Sequence, residues 1–348
     1  MKLEQHIVAS EHGDITVLRL TNDAGAYVVL SSLGAGILEV GVPDRDGKIE
    51  NVALGYANAA DYMADGPCMG KVPGRYANRI AKGKFSIDGE EYSLAINNGP
   101  NALHGGPTGF QNRIWEVHVI PNGVRFSYTS ADGEEGYPGE LKVRAEYVWS
   151  ENNILDLYLW AATDKATVVN LTNHSYWNLR GAEAGSALAH KLTMKASRFL
   201  PTDDTLVPSG ELAPVAGTPM DFTKARALGE MIHEDFPSLK YGKGYDSCWV
   251  IDGWRKGFFT DAAVLLEEEE SGRVLEIGTT QPGVQVYTGN WLAGSPKAHN
   301  GGEYADYDGV AIEAQGFPDA PNHPEFPSQL LLPGKNYDEH IRFKFYTK

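Results

Sequence analysis

The chain has 348 residues, 42% hydrophobic and 22% charged, which allows a sizeable core and lies within reach of one large all-β domain. Its 30 lysines and arginines stand against 46 aspartates and glutamates, a formal charge of −16. That balance argues against a binder of nucleic acid or of an anionic membrane, because both depend on a basic patch that displaces counterions.

Taken in chain order, the opening MKLEQHIVASEHGD holds no apolar stretch of signal-peptide length, and no later segment approaches a membrane span. Cytoplasmic residence is the expectation. Ile15–Leu20, rich in β-branched residues, predicts a strand. Asp46-Gly47 and Asp88-Gly89 fit two-residue hairpin turns, whose central residues need positive φ. Asn122-Gly123 joins the run Trp115–Ile120 to an alternating strand, Val124–Thr129. Leu141–Trp149 alternates likewise, and Asn152-Asn153 turns the chain into Ile154–Trp160. One helix is predicted, over Phe222–Ile232 after Asp221, with Gly229 weakening it. Short strands, frequent turns and 39 glycines predict a large antiparallel β-sandwich, all-β in class. No linker or fixed-period repeat appears, so residues 1–348 read as a single domain.

Several chemistries are unsupported. There is no GxxxxGK[ST] loop, and Gly34-Ala35-Gly36 lacks the third glycine of a dinucleotide fingerprint. Neither GxSxG nor HExxH occurs. The two cysteines, Cys68 and Cys248, are far apart and outside any Cys/His cluster, so neither a disulfide framework nor structural zinc is expected. Asn170 and Asn173 each open a glycosylation sequon, which reads as coincidence without a secretory leader.

What remains is a set of polar residues in strand-like or turn-like surroundings. Asn78 and Arg79 lie in GRYANRI, and His104 in NALHGG. His174 lies in NLTNHSYWN, where polar groups are too dense for an ordinary core strand. Asp246 follows Gly244-Tyr245, and Glu313 interrupts the apolar run Val310-Ala311-Ile312. Singly, each has an ordinary structural explanation: a turn histidine, a solvent-facing strand glutamate, a surface pair. Together, two histidines, two carboxylates and an arginine, with 17 tyrosines and 7 tryptophans, suit a neutral sugar. Rings stack on its apolar faces while planar polar groups meet its hydroxyls.

Six blocks, GRYANRIAKGKFSIDGEEYSL, NALHGG, NLTNHSYWNL, AGTPMDF, TTQPGVQVYTGNWL and AIEAQGFPDAPNHPEFPSQLLLPGKNY, follow one another in the order of a known family. With them the chain resembles the aldose 1-epimerases (galactose mutarotases) from about Asp44 to its C-terminus. The resemblance implies the large β-sandwich of the galactose mutarotase type. It implies interconversion of the α and β anomers of free aldoses, galactose and glucose among them, by acid–base opening and reclosure of the ring. His174 then matches the general acid and Glu313 the general base. Asn78, Arg79, His104, Tyr176, Asp246 and Gln285 match sugar-contacting positions, with Gln281 a weaker candidate. The expected partner is a small-molecule sugar, with no nucleic acid, membrane, metal or other cofactor, and the chain is taken as a monomer or homodimer. One departure is visible: the family often follows this aspartate with His-Asn, whereas Ser247-Cys248 stand here. Rival assignments are a binding module without the acid–base pair, a hexose-phosphate epimerase with a basic pocket rim, and a glycoside hydrolase using Asp246 and Glu313.

Overall fold

The computed structural model describes all 348 residues. Alternation in the sequence becomes alternation of burial. Along Leu141–Trp149 the side chains of Leu141, Val143, Ala145, Tyr147 and Trp149 are buried, while Lys142 and Arg144 are exposed. This strand lies third in a nine-stranded sheet whose order is Glu116–Ile120, Gly123–Ser130, Leu141–Trp149, Ile154–Thr163, Asn336–Thr347, Arg273–Thr279, Thr260–Glu267, Lys191–Met194 and Arg226–Ala227. Its neighbours all run antiparallel.

Facing it are two further antiparallel sheets. One is six-stranded, in the order Tyr176–Trp177, Val310–Gln315, Gly283–Tyr287, Asp246–Val250, Arg198–Leu200 and Ala213–Pro214. The other is a five-stranded meander of the first five strands, Lys2–Ser10 to Ile49–Asn51. One core of 57 buried residues draws on all three, for example Phe126, Leu157 and Phe343, then Trp249, Val286 and Ile312, then Leu18, Leu30 and Val40. Burying each such large apolar side chain contributes about 1.5–3 kcal/mol against the entropy of ordering the chain. The expected antiparallel sandwich is therefore the observed architecture.

Two local expectations are corrected. Residues 222–232 form no helix: Arg226–Ala227 pairs as an edge strand with Lys191–Leu192. The Phe222 carbonyl accepts from the Met194 amide, and the Leu228 and Gly229 amides donate to His190 and Leu188. Backbone groups spent on a sheet edge are lost to an i→i+4 ladder, whatever the residue propensities. The α-helix is instead Pro237–Gly242, with proline in its first turn, where a missing N–H costs nothing. Asp46-Gly47 is likewise not a two-residue turn. The Asp44–Lys48 hydrogen bonds enclose Arg45-Asp46-Gly47, and of these only Gly47 has positive φ. Asp88-Gly89 is the expected two-residue turn, both residues in the left-handed region between paired Ile87 and Glu90.

The polar density of NLTNHSYWN has a physical cause. Asn170 donates to the Ala77 and Gly316 carbonyls and accepts from Gly316 N–H, while Asn173 donates to the Gly70 carbonyl. Both are buried, so their amides satisfy irregular backbone from within and are not offered for glycosylation.

Candidate active site

The six-stranded sheet sets the site. Ile312 and Ala314 face the core, so Glu313 between them faces the other way. Register places Gln285 opposite Glu313, and Cys248 opposite Gln285, in one row across three strands. The adjacent row holds Asp246, Tyr287, Ala311 and Tyr176. Above this face opens a cavity of about 890 Å³, lined by Asn78, Arg79, His104, His174, Tyr176, Asp246, Tyr287 and Glu313, with outer walls from Asp61, residues 63–67, 98–100 and 204–206, Trp291 and residues 293–296.

His174 is fixed through its backbone, its N–H donating to the Lys71 carbonyl and its carbonyl accepting from Gly70 N–H. Its Nε2 lies 3.4 Å from Glu313 Oε1. Its ring packs at 5.0 Å on Tyr176 and edge-on at 5.3 Å to His104. Tyr176 is pinned by its hydroxyl, which donates to the Pro67 carbonyl. His104 and Asn78 both hold positive φ and lock together: Asn78 N–H donates to His104 Nδ1 at 3.2 Å, and His104 N–H donates to the Asn78 carbonyl. Because Nδ1 accepts, the neutral ring of His104 carries its proton on Nε2, leaving that atom as a donor. Two non-glycine residues in the left-handed region at one site are a strained arrangement held by its surroundings.

Arg79 donates through Nε to Asn98 Oδ1 at 2.9 Å and sets Nη2 3.6 Å from Asp246. Asp246 also accepts from Gln285 Nε2 at 2.6 Å. Gln285 is buried behind Asp246, off the cavity wall, so it supports that carboxylate from below. Gln281 is placed elsewhere, its amide donating to the Leu171 carbonyl and the Tyr337 hydroxyl inside the core. Gln281 therefore does not reach the cavity.

Burial sets the electrostatics. It holds the Glu313 carboxyl well above the usual range, reinforced by the Asp246 charge and opposed by Arg79. It pushes His174 down to about 4, with Lys71 adding to the effect. His104 is held well below its ordinary value by burial, then by His174 and Arg79. Glu313 Oε2 and His174 Nδ1 are buried and take no hydrogen bond from another protein group. No group of three or more His, Cys, Asp or Glu side chains is gathered as a metal ion requires.

His174 and Glu313 thus meet on a sheet face with Arg79, Asp246 and His104 around them. The family model described as aldose 1-epimerase covers residues 16–344. The chain belongs to the aldose 1-epimerase family. It is an isomerase that interconverts the anomers of aldoses. Over 333 residues it is 46% identical to the galactose mutarotase of Homo sapiens, across 96% of this chain and 94% of that protein. The aldose 1-epimerase of Escherichia coli K12 is 37% identical, across 94% of each. Among solved structures, a GalM/aldose epimerase homologue from C. elegans superposes with a TM-score of 0.87 at 30% identity, over 99% of both chains. A galactose 1-epimerase from Lactobacillus acidophilus gives 0.85 at 29% identity, again over 99% of both.

Three features of the cavity and its walls were not anticipated from the sequence. Tyr287 shares a face with Gln285 two positions earlier, and strand alternation could have found it. The buried ion pair of Lys71 and Asp65 behind the 61–68 segment has no local signature. Trp291 at the rim is one of the most exposed large apolar side chains in the molecule, at 63%.

Proposed function

We propose that Glu313 and His174 exchange the anomers of free hexoses, with galactose and glucose as substrates, and that the cluster around them grips the sugar. A cyclic aldose is a hemiacetal whose O1 and O5 share one carbon, so an acid and a base must converge on one small volume. The 3.4 Å separation of His174 Nε2 and Glu313 Oε1 is the observation that carries this reading.

Glu313 as carboxylate takes the O1 proton while imidazolium His174 protonates O5, and the C1–O5 bond breaks. The open aldehyde turns about C1–C2. Closure runs in reverse: neutral His174 takes the O5 proton as O5 attacks C1, and protonated Glu313 returns one to O1. One proton shared by the pair serves both directions, and burial favours the uncharged arrangement with that proton on Glu313. That arrangement is complementary to the open sugar; a shift of the proton across the pair readies it for the ring. Arg79, Asp246 and the Nε2–H of His104 hold hydroxyls and restrict rotation to the productive bond. Asn78 and Tyr176 shape and position these groups, and Gln285 orients Asp246.

Of the charged side chains on the cavity wall, Asp61, Asp65, Asp204, Asp246 and Glu313 are acidic and only Arg79 is basic, which disfavours a phosphorylated sugar. We take residues 1–348 as one domain acting in the cytoplasm as a monomer or homodimer. Both cysteines are free and buried, and no helix is long and apolar enough to cross a membrane.

The test is Glu313→Gln, which keeps size and removes the base. Optical rotation of fresh α-glucose or α-galactose should relax at least about 100-fold more slowly per enzyme molecule, with near-UV circular dichroism unchanged. A folded variant that keeps the parent rate refutes the assignment.

A further inference from the structure

We infer that Asn98 is a positioning residue for Arg79, fixing the plane of its guanidinium so that the remaining N–H donors meet the sugar already aimed. The inference rests on the reading of Arg79 as a group that grips the sugar, and adds the residue that makes the grip rigid. An arginine side chain is long, so its worth to a ligand depends on how much rotamer freedom is lost before binding. Arg79 is buried and stands on the short strand Arg79–Ile80, paired with Ala102–Leu103. Its Nε donates to Asn98 Oδ1 at 2.9 Å, and its Nη2 lies 3.6 Å from Asp246 Oδ2. Two of the three guanidinium nitrogens are thus held, which fixes the plane of the group. The N–H donors of Nη1 are left for the cavity, which Arg79 and Asn98 both line.

Asn98 can do this because its loop is tied to the same frame as the arginine. The Asn97 and Asn98 N–H groups both donate to the Asn101 carbonyl, and Asn101 N–H donates back to the Asn98 carbonyl. Gly99 supplies the positive φ that so tight a turn needs. Asn97 brackets Leu103, its amide donating to the Leu103 carbonyl at 3.0 Å and accepting from Leu103 N–H at 2.7 Å. Asn101 is buried and accepts from Lys82 N–H at 3.0 Å. Leu103 is the residue paired with Arg79, and Lys82 follows the Arg79–Ile80 strand by two positions. Acceptor and guanidinium are therefore mounted on one small unit, and neither drifts without the other. The Asn98 amide also carries two N–H donors, so direct contact with the sugar is the competing role.

Polarimetry on galactose compares the parent, Asn98→Ala, Asn98→Asp, Arg79→Met and the double variant Asn98→Ala/Arg79→Met. Asn98→Ala should raise KM about 2- to 12-fold, the size of one hydrogen bond, with kcat within about twofold of the parent. Asn98→Asp keeps the acceptor and loses the amide donors, and should return KM to within about twofold of the parent. In the Arg79→Met background, Asn98→Ala should raise KM no further, because the group it aims is gone. An unchanged KM for Asn98→Ala, additive effects in the double variant, or an Asn98→Asp as impaired as Asn98→Ala overturns the inference. So does a lower kcat at unchanged KM, the mark of damaged folding alone. Arg79→Met with the parent's KM would instead defeat the sugar-gripping role of Arg79 on which the inference rests. Titration with galactose followed by NMR reads the same cycle as affinity, so a variant too slow for polarimetry still decides between these outcomes.

Discussion

Ser247 and Cys248, where relatives often carry His-Asn, show how little a sequence position says about direction. Ser247 neighbours Trp249 and faces the core, buried, with its hydroxyl unpartnered. Cys248 shares the face of Asp246 yet packs among Leu200, Val250, Phe317 and Phe326. Neither side chain lines the cavity. The double variant Ser247→His/Cys248→Asn should therefore leave the ratios of kcat/KM for galactose, glucose and xylose within about twofold of the parent, less than one lost hydrogen bond would produce. It should lower stability by about 1–3 kcal/mol in urea, because a ring enters a closed core. A changed sugar preference would show that these residues reach the substrate after all. At this scale Glu313 and His174 were legible because a charge inside an apolar run, or a histidine among asparagines, stands out chemically. Lys71 was not, because complete burial of a lysine is a property of the fold and not of its neighbours in sequence.

Single elements carry the wall of the site. Asp65 accepts from Tyr56 Oη at 3.0 Å and Met69 N–H at 2.8 Å and pairs with the Lys71 ammonium, both charged side chains fully buried. Lys71 also donates to the Tyr62 carbonyl and Asn112 Oδ1, while its own carbonyl holds His174 N–H. The pair thus ties the cavity-lining segment 61–68 to the backbone of His174. Lys71→Met strands a buried carboxylate and should cost about 3–5 kcal/mol. Adding Asp65→Asn should recover a large part of that loss, and strictly additive losses in urea denaturation would refute the coupling. Strand alternation in elements such as Leu141–Trp149 could be read directly, since period-two burial is written in the residues themselves. The segment 222–232 could not, because its fate was decided by a partner strand some thirty-five positions away.

Across the whole molecule, acidity has a cost at particular points. Burial raises the Glu339 carboxyl to about 7, opposed by the Thr280 hydroxyl that donates to it. A carboxyl raised in the folded state favours folding below its unfolded value near 4.5, and that advantage is lost as pH climbs through 7. Glu339→Gln, which retains an acceptor for Thr280, should match the parent near pH 4. It should grow more stable relative to it between about pH 4.5 and 7, levelling off at about 1–3 kcal/mol. A difference independent of pH would mean that Glu339 ionises freely.

Glu313 rides on Val310–Gln315, a strand buried along its whole length and hydrogen-bonded to Tyr176–Trp177 on one side and Gly283–Tyr287 on the other. Its amide protons belong to the class that exchanges with solvent only when the entire fold opens. The rim, in contrast, is made of connecting segments that can open locally at little cost. Heat or denaturant can therefore loosen the rim by degrees, whereas Glu313 leaves its place only together with the native state. The placement of Glu313 is as cooperative as folding itself.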